Sequence, residues 1–264
     1  FTCLQHPTVV SWGALIAGYV MNKQYAFAIK LFKEMHHRRI TISSHVASCI
    51  LKVCGHFQYL MGGRHIHAQM VENKLESDLP GASLIEVYAK CRSFEDAERI
   101  FELCNLDVVA WAAIMAGYSH HGYFDCVLRL YGMMMQMQNI MPNNVIFSSI
   151  LKACSSKCDI HKGMIVHACI VWSGMQMDII IGNTLIDMYA KSGSIEEAHG
   201  VFTSLLHPDH VSWGAMMTGF VEHGHDVATL ELFEKLYIQD INPNESCFLS
   251  SLKACGNIGT RAQG

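Results

Sequence analysis

The stretch Val-Val-Ser-Trp-Gly-Ala-Leu-Ile-Ala-Gly-Tyr at residues 9–19 returns as Val-Val-Ala-Trp-Ala-Ala-Ile-Met-Ala-Gly-Tyr at 108–118 and as His-Val-Ser-Trp-Gly-Ala-Met-Met-Thr-Gly-Phe at 210–220. Such recurrence decides the architecture before any helix is assigned, because it marks a chain assembled from one supersecondary unit used many times. Working outward, a second motif follows each copy: Ser-Cys-Ile-Leu-Lys-Val-Cys at 48–54, Ser-Ser-Ile-Leu-Lys-Ala-Cys at 148–154 and Leu-Ser-Ser-Leu-Lys-Ala-Cys at 249–255. A third closes each set, Ser-Leu-Ile-Glu-Val-Tyr-Ala-Lys at 83–90 and Thr-Leu-Ile-Asp-Met-Tyr-Ala-Lys at 184–191. The super-period is about 100 residues and holds three units of about 35.

Each unit reads as two amphipathic helices, the first with a Leu-Ile-x-x-Tyr stripe and the second with an Ala-x-x-x-Phe or Leu-Phe stripe, both at helical spacing. In the unit from Ile179, Leu185, Ile186 and Tyr189 make one apolar face, Gly193 marks the turn, and Ala198, Val201 and Phe202 pack back from the second helix. Asn-Pro-Asn at 242–244 and Pro142-Asn143 separate units, since proline cannot continue a helix and pushes its predecessor extended. One hairpin cannot bury its own face, so neighbours must stack into a superhelix with a concave inner wall.

With 51% of its 264 residues apolar, the chain can bury a sizeable core. A formal charge of −4 excludes indiscriminate coating of nucleic acid, so any such binding needs a locally basic groove. The eleven cysteines are odd in number and scattered through amphipathic stretches, which points to a reducing compartment rather than a disulfide framework. Cys54, Cys154 and Cys255 share one repeat position, where a small buried hydrophobe is expected. No Cys-x-x-Cys pair supports a metal site, and no metal or other cofactor is expected. His65 and His67, like His120 and His121, lack a partner pattern and read as solvated or interface residues. Met133, Met134, Met135, Met137 and Met141 read as filling between repeats, and Trp172 alone of the four tryptophans falls outside the pattern. No run approaches the length of a membrane span; the best, Met164 to Trp172, contains His167. The chain starts at Phe1 and stops inside the pattern at Gly264, which reads as a fragment with its targeting segment elsewhere.

The motif order, and above all Gly182-Asn183-Thr184-Leu185-Ile186-Asp187-Met188-Tyr189-Ala190-Lys191, resembles the P, L and S triplets of plant organellar pentatricopeptide-repeat proteins. The resemblance covers essentially the whole chain and implies an all-α, right-handed superhelical solenoid of stacked helix-turn-helix repeats. Its units fall at 9–43 (P), 44–78 (L), 79–107 (S), 108–143 (P), 144–178 (L), 179–209 (S), 210–244 (P) and a partial L unit from Glu245 to Gly264. Leu79-Pro80-Gly81 is tighter than the matching Ile179-Ile180-Ile181-Gly182, which leaves the register of the third unit open.

The face opposite the Leu-Ile-Tyr core is polar: Ser48 aligns with Lys52, Ser148 with Lys152, Leu249 with Lys253, and Asn183 with Asp187 and Lys191. A small hydrogen-bonding residue one turn before a lysine suits base-edge contact beside a phosphate, with Lys90 at the same place in the third unit; a merely solvated face is the other reading. Modular readers of this class take one base per repeat with two or three side chains. The resemblance implies that the fifth and last residues of each unit form that code: Gly13 with Ser43, Ser48 with Asp78, Ala82 with Asp107, Ala112 with Asn143, Ser148 with Asp178, Asn183 with Asp209, and Gly214 with Asn244. Asn183 with Asp209 resembles the uracil-reading pair, and Ser48–Asp78 and Ser148–Asp178 resemble guanine-type pairs. Glycine and alanine offer no hydrogen bond, so specificity at those units is weak. Val10, Val109, Val145, Ile180 and Val211 hold the second position, which in the family sandwiches successive bases; as β-branched residues near helix starts they equally suit packing.

The resemblance implies an organellar factor, mitochondrial slightly before plastid, that binds single-stranded RNA for processing or cytidine-to-uridine editing, with editing or processing proteins as further partners. Neither the His-x-Glu nor the Pro-Cys-x-x-Cys element of a zinc deaminase occurs, so this segment is read as non-catalytic, with no small-molecule substrate and no membrane. A protein-binding scaffold on the same solenoid is the alternative.

Overall fold

The computed structural model describes residues 8–72, 80–103, 107–137, 140–175 and 177–263, and these form fifteen helices and no strand. They run in pairs: α1 (Val9–Met21) with α2 (Tyr25–His37), α3 (Ser44–His56) with α4 (Leu60–Glu72), and α5 (Gly81–Lys90) with α6 (Phe94–Leu103). Then come α7 (Val108–His120) and α8 (Phe124–Gln136), α9 (Asn144–Lys157) with α10 (Ile160–Trp172), α11 (Ile179–Lys191) with α12 (Ile195–Ser204), α13 (His210–Glu222) with α14 (Asp226–Ile238), and α15 (Glu245–Gln263). The chain divides into two compact bodies, residues 1–121 and 122–264.

Within the first body α1, α3, α5 and α7 pack side by side in chain order, and α2, α4 and α6 lie against their own partners as a second layer. The second body repeats this with α9, α11, α13 and α15 as the first layer and α10, α12 and α14 on the other side. The core lies between the layers. Leu185, Ile186, Tyr189, Ala198, Val201 and Phe202 are all buried there, on the stripes their spacing marks out. The same contacts recur in both bodies. Phe101 stands edge-on to Trp111 with ring centroids 4.8 Å apart, and Phe202 edge-on to Trp213 at 4.9 Å. Gly193 turns the chain at φ 82°, a conformation that costs other residues a Cβ clash.

Packing corrects two expectations and chooses between the two readings of a third. Of the methionine run only Met134 is buried; Met133 and Met135 face outward because successive residues of α8 point in different directions, and Met137 and Met141, past the end of that helix, are exposed as well. Cys54 and Cys154 are buried but Cys255 is exposed: α3 and α9 are each covered by the two helices that follow, whereas α15 packs only on α13 and α14. His67 is not a solvated side chain. Its Nδ1 lies 2.9 Å from the Tyr88 hydroxyl, and His167 makes the same 2.9 Å bond to Tyr189, so this pair is part of the repeat.

Candidate nucleic-acid interface

Among the described residues, the last residue of a unit stands immediately before the next unit's first helix and caps it. Ser43 accepts from the Val46 N–H at 3.4 Å, Asp107 from Ala110 at 2.8 Å, Asn143 from Ile146 at 3.1 Å, Asp178 from Ile181 at 2.8 Å and Asn244 from Cys247 at 2.9 Å. Asp209 takes both Val211 (3.0 Å) and Ser212 (2.9 Å) on one oxygen. Ser, Asp and Asn are the residues that satisfy the orphan N–H groups of a helix start, so these positions hold the helix as well as facing any ligand. The signal was present in the sequence as a short polar residue directly before each apolar-periodic run. Asp78 lies outside the described residues.

Capping fixes where the second polar group of each pair stands, and the fifth residues meet it differently. Asn183 Nδ2 donates to Asp209 Oδ1 at 3.2 Å, so this pair is brought together as one hydrogen-bonded unit. Burial pushes the Asp209 carboxyl up, but the Ser212 N–H, the Asn183 amide and the Val211 N–H, which donate to it, together with the polar Ser212 hydroxyl beside it, outweigh this and hold the group below the usual carboxylate range. Gly214 also meets its partner: a Cβ there would lie 3.1 Å from Asn244 Oδ1, yet glycine supplies no group to use. The Asn244 amide is instead bonded to the His210 carbonyl at 3.0 Å.

Other pairs are less accessible than the sequence suggests. Ser148 is buried, and the second oxygen of Asp178 is taken by Asn144 Nδ2 at 2.6 Å, one turn before Ser148 on α9. Asn144 is a polar residue of this face that the fifth-residue rule passes over. Ser48 accepts from the Ser83 hydroxyl at 3.3 Å. A Cβ on Gly13 would meet His45 at 3.3 Å and Val46 at 3.4 Å, Ala112 is buried, and Ala82 is half-buried.

Two further sets of side chains frame these pairs. Val10, Val109, Val145, Ile180 and Val211 are exposed by between 44% and 79%, which removes the packing reading. Of the lysines, Lys52, Lys152 and Lys253 are exposed and make no salt bridge among the described residues. Lys90 and Lys191 instead pair one turn back, with Glu86 at 2.6 Å and Asp187 at 2.9 Å. Of these five lysines, the unpaired ones therefore lie on the L units, while those of the S units are partly neutralised. No group of three metal-binding side chains and no helix long and apolar enough to cross a membrane occur among the described residues.

A model described as the PPR repeat family matches residues 7–56, and a PPR repeat model matches 83–104, 109–138 and 183–206. A pentatricopeptide repeat-containing protein of Arabidopsis thaliana is 32% identical over 261 residues, which are 98% of this chain and 36% of that protein. A second from the same plant, named as mitochondrial, is 32% identical over 98% of this chain and 38% of its own length. A third, named as chloroplastic, is 30% identical over 97% of this chain and 42% of its own. The chain thus spans little more than a third of the length of the first two. Among solved structures it resembles the pentatricopeptide repeat protein PPR10 crystallised with an 18-nucleotide psaJ RNA element. The TM-score is 0.76 at 19% identity, over 98% of this chain and 41% of that one, a likeness of fold.

Proposed function

This chain is built from pentatricopeptide (PPR) repeats, and from that premise we propose that it holds single-stranded RNA along the faces of its first helices, as the recognition segment of an organellar RNA processing or cytidine-to-uridine editing factor. One observation carries the reading. Five β-branched residues at the same repeat position stand exposed beside the helix caps, and one Asn–Asp pair between them presents unused hydrogen-bonding capacity. Exposed apolar side chains in register with polar pairs suit bases that stack on one group and are read by the other. The likeness to a repeat protein crystallised with RNA supports this partner. Relatives named as mitochondrial and as chloroplastic support an organellar home and favour neither organelle.

Recognition then comes mainly from Asn183 with Asp209, and the alanine and glycine units contribute stacking without selectivity. The segment binds and does not react. Selection of the purified chain against randomised single-stranded RNA, followed by sequencing, tests this. Enrichment of uracil at one fixed place, shifted by Asn183→Ser, is the expected result. Failure to retain any RNA at low salt would sink the proposal.

A second reading, a protein-docking scaffold, has one surface in its favour. Met164, Ile165, Val171 and Trp172 line the outer face of α10 and are exposed, where the matching residues of α4 are Arg64, His65, Val71 and Glu72.

A further inference from the structure

Ser212 is fully buried, yet its hydroxyl sits beside both members of the Asn183–Asp209 pair, the candidate reading pair that the described residues bring together in one hydrogen bond. It lies 2.6 Å from Asn183 Oδ1 and 3.1 Å from Asp209 Oδ1, and it accepts the Asp209 N–H at 3.1 Å. A carboxylate only accepts, so the amide end facing Asp209 must be the NH2 group, and the Oδ1 end therefore faces Ser212. The single hydroxyl proton then goes to the nearer acceptor, Asn183 Oδ1. The result is a closed ring: Asp209 N–H to Ser212, Ser212 O–H to Asn183, and Asn183 N–H to Asp209.

An amide has one donor side and one acceptor side, and turning it by half a rotation exchanges them. Uracil offers an acceptor beside a donor on its Watson–Crick edge (O4 and N3–H), whereas cytosine offers a donor beside an acceptor (N4–H and N3). The two pyrimidines have nearly the same shape, so the order of the amide's groups is what can separate them. We propose that Ser212 is a positioning residue that locks the Asn183 amide in one orientation and thereby separates uracil from cytosine at this repeat, an inference that rests on the RNA-binding reading above. The hydroxyl is not a general need of the cap. The matching positions are Ser11, Val46, Gly81, Ala110, Ile146, Ile181 and Cys247, and Asp107 caps α7 with Ala110 in this place.

Ala110 also supplies the control for folding: Ser212→Ala recreates at α13 the arrangement that already stands at α7. The test measures the ratio of uracil to cytosine binding at the place assigned to Asn183, using oligonucleotides that differ only there. Wild type, Ser212→Ala, Asn183→Ala and the double variant are compared, with thermal midpoints recorded alongside. The ratio should fall by at least about twofold towards parity in Ser212→Ala, since one of the two groups that orient the amide is lost. It should not change further when Ser212→Ala is added to Asn183→Ala. A lowered midpoint with an unchanged ratio would reduce Ser212 to a structural residue and overturn the inference, as would an equal loss in the Asn183→Ala background. A wild-type chain that binds RNA without telling the two pyrimidines apart overturns this inference alone. One that binds no RNA overturns the RNA reading with it.

Discussion

Gly219 lies where α13 crosses α11, and a Cβ there would stand 2.7 Å from the Cβ of Ala190 and 3.7 Å from its Cα. The obstacle is nearly backbone and cannot rotate away, so the helices themselves must separate. Gly117 meets Ala89 in the same way between α7 and α5. Gly219→Ala is expected to cost about 1–3 kcal/mol, the usual range for overpacking a close contact. Urea denaturation should show this loss, and the compensating Ala190→Gly should recover part of it; additive losses in the double variant would show that the two positions do not share a contact. The reading pair is decided at the same scale. Asn183 and Asp209 were legible in the sequence, but their 3.2 Å bond and the buried hydroxyl between Asn183 and the cap were not, because they depend on how α11 and α13 are laid side by side.

Between helices, the recurring link is a histidine on the second helix of an L unit and a tyrosine on the first helix of the following S unit. Burial lowers the pKa of His67, against a smaller opposing pull from Asp96, and burial alone lowers that of His167, both from an ordinary value of 6.5. Burial also raises the Tyr88 hydroxyl to about 12, so it stays neutral at physiological pH. As pH falls, the unfolded chain takes up these protons before the folded chain does. The stabilisation is therefore complete above about pH 6.5 and declines below it, until the folded rings titrate as well. The urea midpoint should drop between pH 7 and pH 5, and His67→Gln with His167→Gln should flatten that drop. An equally steep fall in the double variant would place the acid sensitivity elsewhere. Asp96, Asp159 and Asp209 do not enter this window, since their folded values lie below an ordinary 3.8.

For the molecule as a whole, the proposed RNA binding requires that a chain of net charge −4 hold a polyanion. Among the five candidate phosphate-contacting lysines the separation into unpaired (Lys52, Lys152, Lys253, on the L units) and ion-paired (Lys90, Lys191, on the S units) sets supplies an answer. Each phosphate contact contributes roughly 0.7 to the slope of log affinity against log salt for a single strand. Lys152→Ala should therefore flatten that slope by about this amount and weaken all sequences alike. Lys191→Ala should flatten the slope less, because Lys191 is already held by Asp187 and is less available to a phosphate. Equal effects from the two lysines would show that the ion pair does not matter for RNA.

Sequence by itself determined the repeat, its period, the two-helix unit and the residues of the buried stripes, because a structure built by stacking writes its core into local periodicity. Leu185, Ile186 and Tyr189 could be named from spacing alone, whereas Asn183 with Asp209 was singled out by the resemblance to pentatricopeptide repeats. Tertiary structure decided which polar residues remain usable. It buried Ser148, tied Asp178 to Asn144, turned His67 onto Tyr88, exposed the five β-branched residues and placed Ser212 behind Asn183. Those outcomes depend on contacts between residues some thirty positions apart, such as the 29-residue separation of Ser212 and Asn183. Periodicity names the face on which a side chain lies; only the packing of neighbouring repeats fixes what it touches.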